Sequence, residues 1–298
     1  MADQLDLRDL RYFEIIASTG HVGRAAKLSF RSQPALTGAV RRLEQIVGTA
    51  LFQRAGRGIR LTAAGETLLV RARALRIATE DAVREIGDLG KGLAGRVRVG
   101  VVPTVARFLL PPACKEFLRV APDVTLQTII AHNDTLRSSL KSGDLDLTVS
   151  FSTQADPDIA SHDILADEVV VVAARGHPIF RRAVGLKDLL DYRWILAGTS
   201  VATRQWLDHV FMVHALPAPT VQIETNLILL LPALIAENNL LSFISRRNIE
   251  RGTRLKEVPL KETTMMRRFA VSYRKSTYLS PAASRFVELL RTRSKALF

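Results

Sequence analysis

Gly23 to Thr62 reads GRAAKLSFRSQPALTGAVRRLEQIVGTALFQRAGRGIRLT, which divides into two short helices, a tight connection and a basic hairpin. From Arg24 to Arg60 eight Lys/Arg stand against one acidic residue, Glu44, a local net charge of +7. Ser32 is placed to cap the second helix, its hydroxyl accepting from a free N–H of the first turn, and Pro34 loses nothing there by lacking an N–H. Leu36, Val40, Leu43 and Val47 follow at spacings of four, three and four, an apolar stripe expected to face inward. The other face and the first turn carry Gln33, Thr37, Gly38, Arg41, Arg42 and Gln45. Amide, hydroxyl and guanidinium groups of this kind read base edges or hold phosphates. The preceding helix, about Arg24 to Ser29, has Ala25, Ala26 and Leu28 for a close crossing. Phe30 and Arg31 read equally as packing or as contact residues.

Leu51-Phe52 and Ile59-Leu61 are expected as two short strands, with Gly56 and Gly58 permitting the turn between them. Arg54, Arg57 and Arg60 would project from this hairpin as a basic wing. Gly56-Arg57-Gly58 is no nucleotide-binding loop: no Gly follows three residues later, and the Lys-Ser/Thr of a P-loop is absent. A compact, strongly basic helix-turn-helix with a wing is suited to the phosphates and groove of duplex DNA.

LRDLRYF at Leu7 to Phe13, SQPALT from Ser32, RRLE at Arg41 to Glu44, LF at Leu51 and LTAAGE from Leu61 stand in the order and spacing of one family. The segment resembles the N-terminal domain of LysR-type transcriptional regulators, and the likeness extends over essentially all 298 residues. It implies an α/β protein with an N-terminal all-α winged helix-turn-helix (residues 1–62), a long linker helix for dimerisation and a hinge (63–95), and a two-lobed periplasmic-binding-protein-like α/β effector domain (96–298). Lobe I would comprise about 96–165 and 266–298, and lobe II about 166–265. DNA-contacting residues on this reading are Arg31, Ser32, Gln33, Pro34, Thr37, Gly38 and Arg41 on the recognition helix, with Arg54, Arg57 and Arg60 on the wing. The implied partners are double-stranded DNA, a small-molecule effector, further copies of the chain as dimer or tetramer, and RNA polymerase. No cofactor is implied. Two positions depart from the family pattern: Gly38, where a polar or basic side chain is usual, and Ser29, where leucine is usual. Glycine inside a helix costs roughly 0.5–1 kcal/mol relative to alanine, and simple tolerance is the preferred account of Gly38 over a closer approach to DNA.

The hydrophobic fraction, 47%, suffices for packed cores, and the net charge is +13. The region from Arg246 onward holds fourteen basic and four acidic residues, read as a solvated face in preference to extra attraction for DNA or an acidic partner. The start, MADQLDLRDL, lacks a signal-peptide pattern. The longest apolar run, Leu227 to Ala236, contains Pro232 and falls well short of the ~20 residues of a membrane span. A soluble, cytoplasmic protein is expected, without membrane partners. One cysteine, Cys114, permits no internal disulfide and reads as a packing group.

Between Thr62 and the glycines at 87–95, Leu68, Ala72, Leu75, Thr79, Ala82, Ile86 and Leu89 alternate at four and three, a heptad seam on a long helix. A dimer in which two winged units read an inverted repeat accounts for it better than packing within one chain. Gly87, Gly90, Gly92 and Gly95 would then form a hinge.

Beyond the hinge, Arg96–Val102, Asp123–Ile130 and Asp146–Phe151 read as strands separated by helices, implying parallel pairing. A second series runs through Glu168–Ala174, Trp194–Leu196, a helix near Thr203–Val213, Val221–Glu224 and a helix over Leu229–Glu237. A strand at Phe269–Tyr273 and a helix at Pro281–Lys295 return to the first lobe. Ligands of open α/β sheets sit at the carboxyl ends of strands. The candidate effector residues are therefore Pro103, Thr104 and Val105, then Asn133 beside Asp134, then Thr199 and Ser200 after Gly198, and Thr225 with Asn226. Each alone could be an ordinary helix cap. His21, His132, His162, His177, His209 and His214 are scattered, with no metal-binding spacing and no catalytic constellation. A regulator and not an enzyme is expected; the alternative is a solute-binding protein.

Overall fold

A computed structural model of the chain describes residues 5–56, 58–90, 92–152, 156–227, 230–249, 254–275 and 277–298. Two units are resolved, one built around the residues up to Gly92 and the other around those from Leu93 onward.

The first unit begins with α1 (Leu7–Thr19), α2 (Val22–Leu28) and α3 (Gln33–Val47), followed by β1 (Phe52–Ala55), β2 (Gly58–Leu61) and α4 (Ala63–Asp88). Local chemistry sets the helix ends. Asp6 accepts from the Arg8 N–H, Ser32 accepts from the Ala35 N–H at 3.4 Å, and Gly20 and Gly48 close α1 and α3 in the left-handed conformation. Leu10, Phe13, Leu43, Leu51 and Ala72 form one buried cluster, and Ile16, Ala25, Ala26 and Leu36 another. The inward stripe of α3 differs from the sequence expectation at two places. Val47 is exposed and Val40 only half-buried, whereas Ala39 is buried, because the small side chain admits the closest crossing.

The RRLE and LTAAGE motifs acquire physical reasons here. Glu44, the single acid of the basic segment, accepts from the Leu51 N–H at 2.8 Å. Thr62 donates to the Ala50 carbonyl at 2.7 Å and accepts from the Gly65 N–H at 3.0 Å. A Cβ on Gly65 would stand 2.1 Å from the Leu51 carbonyl oxygen, so α4 starts this close to the chain only with glycine. The β2 strand docks on the end of α1 through the Ile59 N–H, which donates to the Gly20 carbonyl at 3.0 Å.

α4 runs through Gly87, so that residue is helical. Along the expected seam Ala72 is buried, whereas Leu75, Ala82, Ile86 and Leu89 are exposed. Gly90 and Gly92 take positive φ, and Gly95 lies in the following strand.

The second unit carries β3 (Ala94–Val101), α5 (Pro103–Phe108), α6 (Leu110–Val120), β4 (Asp123–Ile130), α7 (Asn133–Lys141), β5 (Leu147–Phe151) and the long β6 (Ile159–Ala174). It continues with β7 (Trp194–Leu196), α8 (Ala202–Val213), β8 (Val221–Glu224), α9 (Leu231–Asn238), β9 (Leu241–Ser245), β10 (Leu255–Glu257), β11 (Met265–Arg274) and α10 (Pro281–Leu297). Two helices follow Val102, α5 and α6, with Pro111 and Pro112 opening the second.

Strand order is β4-β3-β5-β11-β6-β9-β7-β8, with β10 also paired to β6. β3 runs parallel to β4 and β5, and β7 runs parallel to β8 and β9. These two parallel halves are joined by antiparallel β11 and β6. The sequence-derived lobe limits near 165 and 265 fall inside β6 and at the start of β11, two strands that serve both halves. Along β6 the period of two sends Val169 and Val171 into a cluster with Trp194, Leu207 and Phe211, and Val170 and Val172 into one with Ile195, Ile235 and Ile244. Both faces of this strand are thereby covered.

Candidate functional site

On the first unit, Arg31, Ser32, Gln33, Pro34 and Arg41 are exposed and Thr37 and Gly38 half-exposed, one continuous surface over the first turns of α3. Thr37 donates to the Gln33 carbonyl at 3.0 Å. Gly38 has room: a Cβ there would meet only the Arg42 guanidinium, at 3.5 Å. Phe30 is 92% exposed at φ 53°, so it does not pack in this fold. Ser29 donates to the Ala25 carbonyl at 2.8 Å and closes α2.

Arg42, grouped by sequence with the DNA-facing side chains, is committed elsewhere. Its Nε and Nη2 donate to Asp9 at 2.8 and 2.7 Å, and this contact raises its already high pKa. Arg54 and Arg60 are both exposed, but the register pairs Arg60 with Gln53 and Arg54 with Ile59. The pleat therefore sends the two guanidiniums to opposite faces of the hairpin. Arg57 lies outside the described residues.

On the second unit, Pro103 and Thr104 at the start of α5, Asn133 at the start of α7, and Thr225 and Asn226 after β8 line a common cavity of about 90 Å³. Three expected residues do not. Val105 is a buried core residue, and Thr199 and Ser200 are exposed; the loop instead contributes Ala197, Val201 and Thr203. Asp134 is exposed and also away from the cavity wall.

The chief charged group of the cavity was not legible in the sequence. Arg267 on β11 sits directly opposite Asp167 on β6, and its Nε and Nη2 donate to Asp167 Oδ2 at 2.8 and 2.5 Å. Nη2 also reaches the Thr104 hydroxyl at 3.0 Å, and Ser245 donates to Asp167 Oδ1 at 2.9 Å. One polar chain thus runs from α5 through both joining strands to the end of β9. Burial pulls the Arg267 pKa down, opposed by the Asp167 charge. Phe151 and Phe269 lie against the guanidinium at 5.3 and 5.2 Å. Asn248, 3% exposed, donates to the Ser245 carbonyl while its Oδ1 has no hydrogen-bond partner. The sequence signal is a pair of arginines, Arg267 and Arg268, between Met265-Met266 and Phe269-Ala270-Val271.

Burial pushes the Cys114 thiol up, which disfavours the reactive thiolate. Among the described residues no group of three or more His, Cys, Asp or Glu is arranged to hold a metal, and no helix is long and apolar enough to cross a membrane.

A winged helix-turn-helix with an exposed recognition surface, carried on the same chain as an α/β domain with a polar cavity at the ends of its strands, is the architecture of a DNA-binding regulator. Residues 7–66 match the family described as bacterial regulatory helix-turn-helix protein, lysR family, and residues 90–295 match the LysR substrate binding domain. The transcriptional regulator PcaQ of Agrobacterium fabrum is 30% identical over 229 residues, 76% of this chain and 74% of that protein. A full-length OxyR variant from Pseudomonas aeruginosa shares the fold with a TM-score of 0.68 at 24% identity, over 99% of this chain and 96% of the other. Full-length CbnR, solved with its target DNA, gives a TM-score of 0.63 at 22% identity, over 97% and 99%. The chain belongs to the LysR family and is a DNA-binding transcriptional regulator with a substrate-binding domain.

Proposed function

We propose that this regulator reads an operator with the first turns of α3, through Gln33, Thr37 and Arg41, while Arg31, Arg54, Arg57 and Arg60 hold phosphates. Its output is set by a small molecule in the cavity lined by Thr104, Asn133, Thr225, Asn226 and Arg267. The observation that carries this reading is the chain of hydrogen bonds Thr104–Arg267–Asp167–Ser245, which ties the two parallel halves of the sheet together at the cavity wall. A ligand that donates to the Thr104 oxygen competes with Arg267 for it, and one that accepts from the Thr104 O–H lengthens the same chain. Such a ligand binds two arrangements of the halves unequally, as a change of state requires.

The apolar side chains left exposed on α4 support pairing of two copies along that helix, and two such pairs would form a tetramer. Action in the cytoplasm, contact with RNA polymerase and the absence of an enzymatic reaction belong to the same proposal. The similarity to curated transcriptional regulators supports them.

The test is a screen of small polar metabolites for their effect on operator binding by wild type and by Thr104→Val. A compound that shifts operator affinity or the footprint of wild type, and loses that effect in Thr104→Val, supports the assignment. A compound that acts equally on both places the effector elsewhere.

A further inference from the structure

A second cavity, of about 340 Å³, lies between α7 and strands β5, β6 and β11. Its floor is hydroxylic. Ser272 of β11 is the register partner of both Thr148 on β5 and Ser161 on β6, so three hydroxyl side chains form a row across adjacent strands. Ser150 adds a fourth, two residues along β5 on the same face. Ser161 and Ser272 bond to each other at 3.0 Å. Thr148 and Ser150 are 2% and 9% exposed, and both line the cavity. Asn133 Oδ1, at the edge of the same cavity, is also buried without a partner. Buried polar groups are normally satisfied, so the unpartnered Asn133 Oδ1 beside a hydroxyl-lined floor marks a cavity suited to a polar occupant.

Charge indicates the kind of occupant. Arg137 donates to Asp156 at 2.6 Å, and Asp156 also accepts from the Asp158 N–H, so this acid and base offset one another. Lys275 is exposed at the rim and has no ion pair among the described residues. Burial and the nearby Arg291 hold His162 below its usual pKa, so near neutrality it adds no charge. The lining therefore carries one uncompensated positive charge above a floor of hydroxyl donors.

We propose that this cavity is a second ligand site, taking a small oxyanion whose oxygens accept from Thr148, Ser150 and Lys275. Asn133 lines both this cavity and the one that contains Arg267, so the two sites share a wall. The inference is independent of what the other cavity binds.

The experiment is calorimetric titration of the full-length protein with inorganic phosphate, sulfate or acetate, at an ionic strength held constant with chloride. Saturable binding of at least one is expected. Phosphate or sulfate alone would identify a tetrahedral anion, and acetate alone a carboxylate. Lys275→Gln should weaken that binding about tenfold, as loss of one charge-assisted hydrogen bond implies. Ser150→Ala should weaken it too, whereas Thr104→Val in the other cavity should not. Lys275 is exposed, so its replacement leaves the fold intact and keeps the test sound if the buried variant misfolds. No saturable binding of any of the three, or binding unchanged by Lys275→Gln, would overturn the proposal; the latter would place the anion on the basic DNA-facing surface.

Discussion

Arg42 on the recognition helix grips Asp9 on α1 through two guanidinium nitrogens, at 2.8 and 2.7 Å, and Asp9 is 3% exposed. Removing Arg42 strands a buried carboxylate, so Arg42→Ala should lower stability. The expected loss is about 1–2 kcal/mol, less than for a fully buried pair because the Arg42 side chain itself is half-exposed. Urea titration followed by helical signal measures it. Arg41→Ala, one residue earlier and exposed, should leave the midpoint unchanged; equal losses in the two variants would contradict the structural role of Arg42.

The glycines of the winged unit should respond in opposite ways. Gly38→Ala meets no obstacle and gains helix propensity, so it should stabilise by roughly 0.5–1 kcal/mol with operator affinity retained. Retained stability with lost operator binding would instead mean that the DNA backbone or a base needs that space. Gly65→Ala drives a Cβ into the Leu51 carbonyl and should destabilise by about 1–3 kcal/mol or more. Thermal unfolding distinguishes the pair.

His177 is 1% exposed; its Nδ1 accepts from the Ile179 N–H and its Nε2 faces the Asn239 carbonyl, both at 3.1 Å. That arrangement needs the neutral ring with the proton on Nε2. Burial accordingly depresses its pKa below 6.5, only partly opposed by the Asn239 contact. Because the unfolded chain binds this proton more readily, the stabilising contribution is complete above about pH 6.5 and is lost as pH falls from there through the lower folded pKa. His177→Asn keeps an acceptor for the Ile179 N–H and has no titrating ring. It should flatten the fall in unfolding midpoint below pH 6.5. An unchanged pH profile would show that other groups cause it.

Much of the winged unit was legible because its determinants are local. Ser32, Pro34 and Gly48 mark α3 by capping chemistry that acts within a few residues, and Gly56 marks the turn of the wing, whereas Gly58 opens β2 where it passes the Gly20 carbonyl. The Arg42–Asp9 contact is not legible locally because Asp9 lies 33 residues away on another helix. Opposite-facing Arg54 and Arg60 follow from register, which composition does not reveal. In the second unit, the strand-end loops bring Thr104, Asn133, Thr225 and Asn226 to one cavity wall, whereas the helix start after Gly198 brings Thr203 and not Thr199 there. The Arg267–Asp167 pair is 100 residues apart in sequence and adjacent only through β11–β6 pairing, so no local pattern announces it.

Sequence-specific reading by α3 is tested most directly by footprinting the purified protein on the intergenic DNA beside its own gene across a salt titration, for wild type, Gln33→Ala and Arg60→Ala. A protected, roughly symmetric site that survives competitor DNA is expected for wild type. Gln33→Ala should weaken that site by ~1–3 kcal/mol while sparing non-specific binding, and Arg60→Ala should weaken all sequences alike and lower the salt slope by roughly one. Diffuse, salt-labile protection, affected equally by both substitutions, would contradict sequence-specific reading by α3.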